Sequence, residues 1–224
     1  TQVDTVNING TLSNVNATFP LLSTLSVDVN ATTPLTVDTT TQDITITSNN
    51  DLLVDSSTLV SATINNASNN VTLEIDKVAL DFELSGTMGD VFIDEPSLET
   101  LTFGTSTVMT SLQLDNSNVV GINAFLITLP SLSVTSDVTT FSVTGGNSLN
   151  TVDLDMINLT TLTTSTNGTD FVVNSNETAL TIQGSVVDTL TVTALNMSSL
   201  NLVSGAGTLQ IVSNNLGTLD TNNT

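Results

Sequence analysis

The side chains of this chain that can do chemistry are almost all carboxylates: 22 Asp plus Glu stand against a single cation, Lys77. Asp81 and Glu83 are two residues apart, a spacing that puts both on one face of a strand. Asp94 and Glu95 follow in a turn-like stretch. Hard oxygen ligands of this kind suit Ca²⁺, so Asp81, Glu83, Asp94 and Glu95 form the candidate metal site, and Ca²⁺ is the one cofactor the residues point to. Asp153 and Asp155 repeat the spacing. Neither an EF-hand loop nor a Gly-Asp nonapeptide is present, and a solvated acidic face is the competing reading. Lys77 reads as a local charge partner rather than a catalytic amine.

The missing residue types narrow the function further. The chain has no His, Cys, Trp, Tyr or Arg. Acid–base work near neutral pH, activation of a Ser or Thr nucleophile and phosphoryl transfer all lean on groups this chain lacks. Carboxylate-only glycoside hydrolysis remains open, though Trp and Tyr platforms for a sugar are missing. The chain is therefore expected not to be an enzyme. A net charge of -21 repels nucleic acid, whose binding draws on Lys and Arg at phosphates. It repels anionic lipid as well. Self-repulsion of this size calls for screening by salt or divalent cations, which points to an extracellular or cell-surface location. Without cysteine there is no disulfide framework. The opening Thr1-Gln2 reads as a processed or trimmed start.

Ten Asn-x-Ser/Thr sequons are candidate glycosylation sites: Asn9, Asn16, Asn30, Asn66, Asn70, Asn158, Asn167, Asn176, Asn196 and Asn222. A chain so rich in Asn, Ser and Thr produces most of that number by chance. The alternative is that these Asn serve turns and ladders.

The elements that must carry these groups are legible from a recurring hexad: an apolar residue, two polar residues, an apolar residue, one polar residue, then another apolar residue. It appears in Leu22–Val27, Leu98–Phe103, Met109–Leu114, Leu129–Val134, Val187–Val192 and Met197–Leu202. Its centre returns every 9 to 11 residues, with one beat missing near Phe171 to Val173. Two inward residues at spacing two mark a strand, helical periodicity is nowhere sustained, and Thr, Val and Ile favour strands. The fold class is all-β, one repetitive domain over residues 1–224 with an irregular acidic segment at 74–99. That segment holds a longer alternating strand around Val78 to Leu84. Asn-Gly occurs only at Asn9-Gly10 and Asn167-Gly168, and Asp-Gly never. Such a scarcity of hairpin turns disfavours a β-sandwich, the alternative, and favours a parallel β-solenoid of about ten residues per strand-turn unit. Two units per coil give about 20 residues and three about 30. Three faces are expected. No run approaches the roughly 20 apolar residues of a membrane helix, and the polar outward positions do not fit a membrane barrel.

This loose pattern, spread over nearly the whole chain, resembles the β-solenoid surface proteins: autotransporter passengers, filamentous-haemagglutinin-type adhesins and repeat-built surface fibres. It departs from autotransporters in having few glycines. The resemblance implies an extracellular structural or adhesive protein, a subunit or segment of a surface filament or surface layer. Its expected partners are other copies of itself, joined head-to-tail or by strand addition, with Thr1 to Ile8 as a candidate donated strand. The runner-up is a cation- or carbohydrate-dependent binding module. An ice-binding face is a further alternative, resting on the Thr pairs Thr100/Thr102, Thr161/Thr163 and Thr189/Thr191.

Overall fold

A computed structural model describes residues 5–12, 14–17, 24–29, 35–39, 43–48, 52–56, 61–65, 70–75, 80–94, 98–104, 106–124, 127–145, 149–166, 169–184, 187–203 and 206–221. The protein is all-β, and three parallel sheets build a β-solenoid. Sheet A contains β1 (Thr5–Gly10), β3 (Thr24–Val29), β5 (Asp43–Ser48), β7 (Ser61–Asn65), β9 (Leu80–Thr87) and β11 (Leu98–Phe103). Sheet B runs the length of the stack through β2 (Asn14–Ala17), β4 (Leu35–Thr39), β6 (Leu52–Ser56), β8 (Val71–Ile75), β10 (Asp90–Asp94), β12 (Ser111–Ser117), β14 (Ser131–Ser136), β16 (Thr151–Asp155), β18 (Asp170–Asn174), β20 (Val187–Thr193) and β22 (Ala206–Val212). Sheet C takes over from sheet A with β13 (Gly121–Ala124), β15 (Thr140–Gly145), β17 (Thr161–Ser165), β19 (Ala179–Gly184), β21 (Ser199–Leu202) and β23 (Thr218–Thr221).

Apart from β11, where sheet A ends, each strand up to β21 pairs with the strand two further on, so one coil uses two of the ten-residue units. Register partners lie 17 residues apart at Leu35/Leu52 and 22 apart at Ser61/Glu83, which settles the coil near 20 residues. Coils of the first half alternate strands of sheets A and B, and coils of the second half alternate strands of sheets B and C. A narrow third side appears in the middle coils, where Val108 bridges Thr87 and Thr128.

The hexad explains the cross-section. Its last two apolar residues are the inward pair of a strand. On sheet B, Leu112, Leu132, Val152, Phe171, Leu190 and Leu209 form one inner column, and Leu114, Val134, Leu154, Val173, Val192 and Ile211 form the next. The first apolar residue fills the corner before the strand: Met109, Leu129 and Leu149 are buried there. The beat that fails in the sequence is present in the fold. β18 supplies Phe171 and Val173 as usual, while Thr169 takes the corner and donates its hydroxyl to the Leu149 carbonyl at 2.9 Å. The long strand of the acidic segment is β9, with Phe82 and Leu84 buried; Val78 lies outside the described residues.

The opposite corner carries serine. Ser136, Ser175 and Ser213 each accept a hydrogen bond from the backbone N–H two residues on. Each also donates to a carbonyl of the preceding coil, at Ser117, Leu159 and Met197 respectively. The hydroxyl closes a tight turn and ties two coils together. Ser175→Ala removes both bonds at a buried position and is expected to cost roughly 1–3 kcal/mol. Denaturant unfolding checks this, and an unchanged midpoint would refute the corner's role.

Candidate functional site

The outward residues of a solenoid form columns running across coils, and the chemistry of this surface lies in those columns. On sheet B the register stacks Asp38 on Asp55 and Asp55 on Glu74. Further along it stacks Asp94 on Asp115. Neighbouring strands are about 4.8 Å apart, so these carboxylate positions line one edge of sheet B at close spacing. On sheet A the corresponding column is neutral: Asn7, Ser26, Thr45, Thr63 and Ser85, with the Thr63 and Ser85 hydroxyls 2.8 Å apart. Hydroxyls also approach carboxylates directly, Ser61 donating to Asp43 at 2.6 Å and Ser111 to Asp90 at 2.7 Å.

The residues singled out as a metal site are distributed over the fold. Asp81 and Glu83 belong to β9 on sheet A, in register with Thr100 and Thr102, and Glu83 is exposed. Asp94 ends β10 on sheet B, and Glu95 lies outside the described residues. The pair on β9 and Asp94 are therefore on different sheets. Asp153 and Asp155 are both exposed on the outer face of β16. Among the described residues no three carboxylates gather into a group that could hold a metal ion. Lys77 lies outside the described residues.

The sequons divide by place. Asn9 and Asn16 are exposed on β1 and β2, and Asn70 is exposed just before β8. Asn30, Asn66, Asn167 and Asn222 lie outside the described residues. Asn158, Asn176 and Asn196 share the corner between sheets B and C on successive coils, where the Asn176 N–H bonds to the Ile157 carbonyl. Their sequon hydroxyls continue the stack, Thr160 donating to the Thr139 carbonyl and Ser198 to the Thr178 carbonyl. The Thr pairs proposed for ice lie on three different sheets: Thr100/Thr102 on A, Thr161/Thr163 on C and Thr189/Thr191 on B. On sheet C the column Thr140, Thr161, Thr181 passes into Asn201 and Asp220.

A cleft of about 510 Å³ opens at this same edge of sheet B, where β10, β12, β14 and β16 end. Asp94, Asp137 and Asp155 line it with Ser117, Asn118 and Ile157. It lies where the chain breaks its own rhythm. Register between β12 and β14 slips between Leu114 and Ser117, and on the other side sheet A gives way to sheet C, joined by an Asn118 N–H to Leu98 carbonyl bond of 2.9 Å. Bulges of this sort re-aim side chains beside sites. Ser117 is 2% exposed, and its hydroxyl has no hydrogen-bond partner. Sequence reasoning missed the cleft because its residues come from four coils. No protein-family model, curated protein or solved structure matches the chain.

Proposed function

We propose that this chain is a structural and adhesive component of an extracellular surface, a subunit or segment of a surface filament or surface layer. The observation that supports this is the stack itself. Sheet B continues through eleven parallel strands, giving a narrow rod whose outside displays hydroxyl, amide and carboxylate columns and whose inside is apolar. Such a rod presents chemistry at strand spacing along sheet B, which suits scaffolding and adhesion. Sugar on the exposed sequons belongs to the same reading, as does a high-salt or calcium-containing medium that screens the stacked carboxylates.

Growth of the rod, as proposed, adds coils to the stack. Leu190, Val192 and Leu200 are closed off, at 1%, 0% and 0% exposure. One coil on, Leu209, Ile211 and Leu216 are only partly buried, and Leu219 is 46% exposed. A further parallel coil laid there would complete their burial and pair β22 and β23, whether it comes from chain beyond residue 224 or from a second copy. At the other end β1 carries Val6 and Ile8, partly buried against the core. Negative-stain microscopy and light scattering of the 224-residue chain test the reading. The expected result is concentration-dependent rods growing in steps of about 50 Å, eleven coils at about 4.8 Å each, and shortened by Leu219→Asp. Isolated monomers at every concentration would sink it.

A further inference from the structure

We propose that Asn70 carries an N-linked glycan whose first sugar lies over the ring of Phe92. This deepens the sugar-bearing surface of the reading above and rests on it for the extracellular setting. Phe92 sits between the buried Val91 and Ile93 on β10 and so faces outward. Among the described residues no other Phe does: Phe82, Phe141 and Phe171 are buried, and Phe103 packs against the core. The chain has no Trp or Tyr. This outward ring stands beside a sequon, Asn70-Val71-Thr72. Thr72 is in register with Phe92 on one side, and Gln113 flanks the ring on the other.

Asn70 is exposed just before β8, and strand alternation puts it on the outer face with Thr72, the buried Val71 lying between them. It stands one strand over and two residues back from Phe92, roughly 8 Å between backbone positions. An Asn side chain extended by one pyranose ring spans that gap. A groove of about 310 Å³ occupies the ground between, lined by Asn70, Thr72, Asp90, Phe92, Ser111 and Gln113. The face of Phe92 takes the C–H face of a sugar. Asp90, oriented by the Ser111 hydroxyl at 2.7 Å, accepts from sugar hydroxyls, and the Gln113 amide both donates and accepts. A shallow groove with one ring holds a free sugar weakly. A covalent tether makes the contact intramolecular, and Asn70 supplies the tether, which is why the occupant is the chain's own glycan.

The modification joins Asn70 Nδ2 to the anomeric carbon of the first sugar. The bond from that carbon to its donor, a lipid diphosphate, breaks, and one amide proton leaves with the diphosphate. A separate transferase performs the step. The modified amide keeps its carbonyl oxygen and one N–H for hydrogen bonding.

The test uses the full chain secreted from glycosylating eukaryotic cells and trimmed to one N-acetylglucosamine per site. Glycopeptide mass spectrometry should find Asn70 occupied. Asn70→Gln should lower the thermal midpoint by about 2–4 °C, the shift one stacking contact produces in a chain of this size. In the Phe92→Leu background the same substitution should change it by less than about 1 °C, a double-mutant cycle that isolates the sugar–ring contact. The N-acetyl and ring protons of the Asn70 sugar should also show upfield ring-current shifts that Phe92→Leu abolishes. A bare Asn70, equal midpoint changes in the two backgrounds, or sugar shifts indifferent to Phe92 would each overturn the proposal. Microscopy of the same samples separates this inference from the scaffold reading. Rods with a bare Asn70 sink the glycan and keep the scaffold, whereas monomers with the sugar seated on Phe92 do the reverse.

Discussion

Leu190→Asp is expected to cost about 4 kcal/mol or more and to melt the coils on either side of it. Leu190 is 1% exposed, between Phe171 and Leu209 in the inner column of sheet B. The substitution forfeits roughly 1.5–3 kcal/mol of apolar burial and leaves an unpaired carboxylate in a slender apolar interior, which adds more. Coils touch only their neighbours, so the damage stays local. Hydrogen exchange should show lost protection in β18, β20 and β22 and retained protection in β4 to β10. Thr191→Asp is the control. It points outward between Val172 and Gln210, with no carboxylate stacked on it, and is expected to change stability by no more than about 0.5 kcal/mol. Thr189→Asp is a poorer control, because its register partner is Asp170 and like charges facing across a sheet repel. Equal sensitivity at Leu190 and Thr191 would overturn the facing of the whole repeat.

That facing was legible in the hexad, because an inward pair at spacing two needs no knowledge of which strands are neighbours. Coil size was not. Stacking unit n on n+2 or on n+3 places apolar residues on apolar residues equally well, so Leu132 fits over Leu112 and would fit over another Leu or Val in a longer coil. The deciding signal was polar: Ser117, Ser136, Ser175 and Ser213, each followed by Asn or Asp, are separated by 19, 39 and 38 residues, near-multiples of one coil. The skipped beat at Phe171 had a similar origin. Thr169 replaces an aliphatic corner residue by bonding to the Leu149 carbonyl, a substitution invisible to a search for apolar side chains.

The acidic residues show why a candidate site is harder to read than a fold. Along the chain, residues 74–99 appear as the acidic cluster. Across coils, the relevant sets are different: Asp38, Asp55 and Glu74 share one column, and Asp94, Asp137 and Asp155 share one cleft. Residues about 20 or 40 apart become neighbours only once the register is known, and the register depends on the coil size the hexad leaves open. Asp81 and Glu83, in the same acidic segment as Asp94, fall on another sheet.

The regular rise of the coils also rests on two glycines, and Gly184→Ala is expected to cost about 3 kcal/mol or more. Gly184 ends β19 with φ +131°, and its register partner one coil earlier is Thr164. A Cβ there would lie 1.7 Å from the Thr164 carbonyl oxygen, far inside contact distance, and the obstacle is backbone rather than a movable side chain. Gly86 repeats the arrangement on sheet A, with φ +112° and the Ile64 carbonyl oxygen 2.0 Å from the same imagined atom. Gly10 separates the two causes. Its φ is +150°, yet a Cβ meets nothing within 4 Å, so Gly10→Ala bears the dihedral strain alone and should cost about 1 kcal/mol. Thermal unfolding of the three variants measures the difference directly. A Gly184→Ala midpoint no lower than that of Gly10→Ala would mean that the coils can spread to admit a methyl group, and that the spacing of the outward columns is not fixed by the backbone.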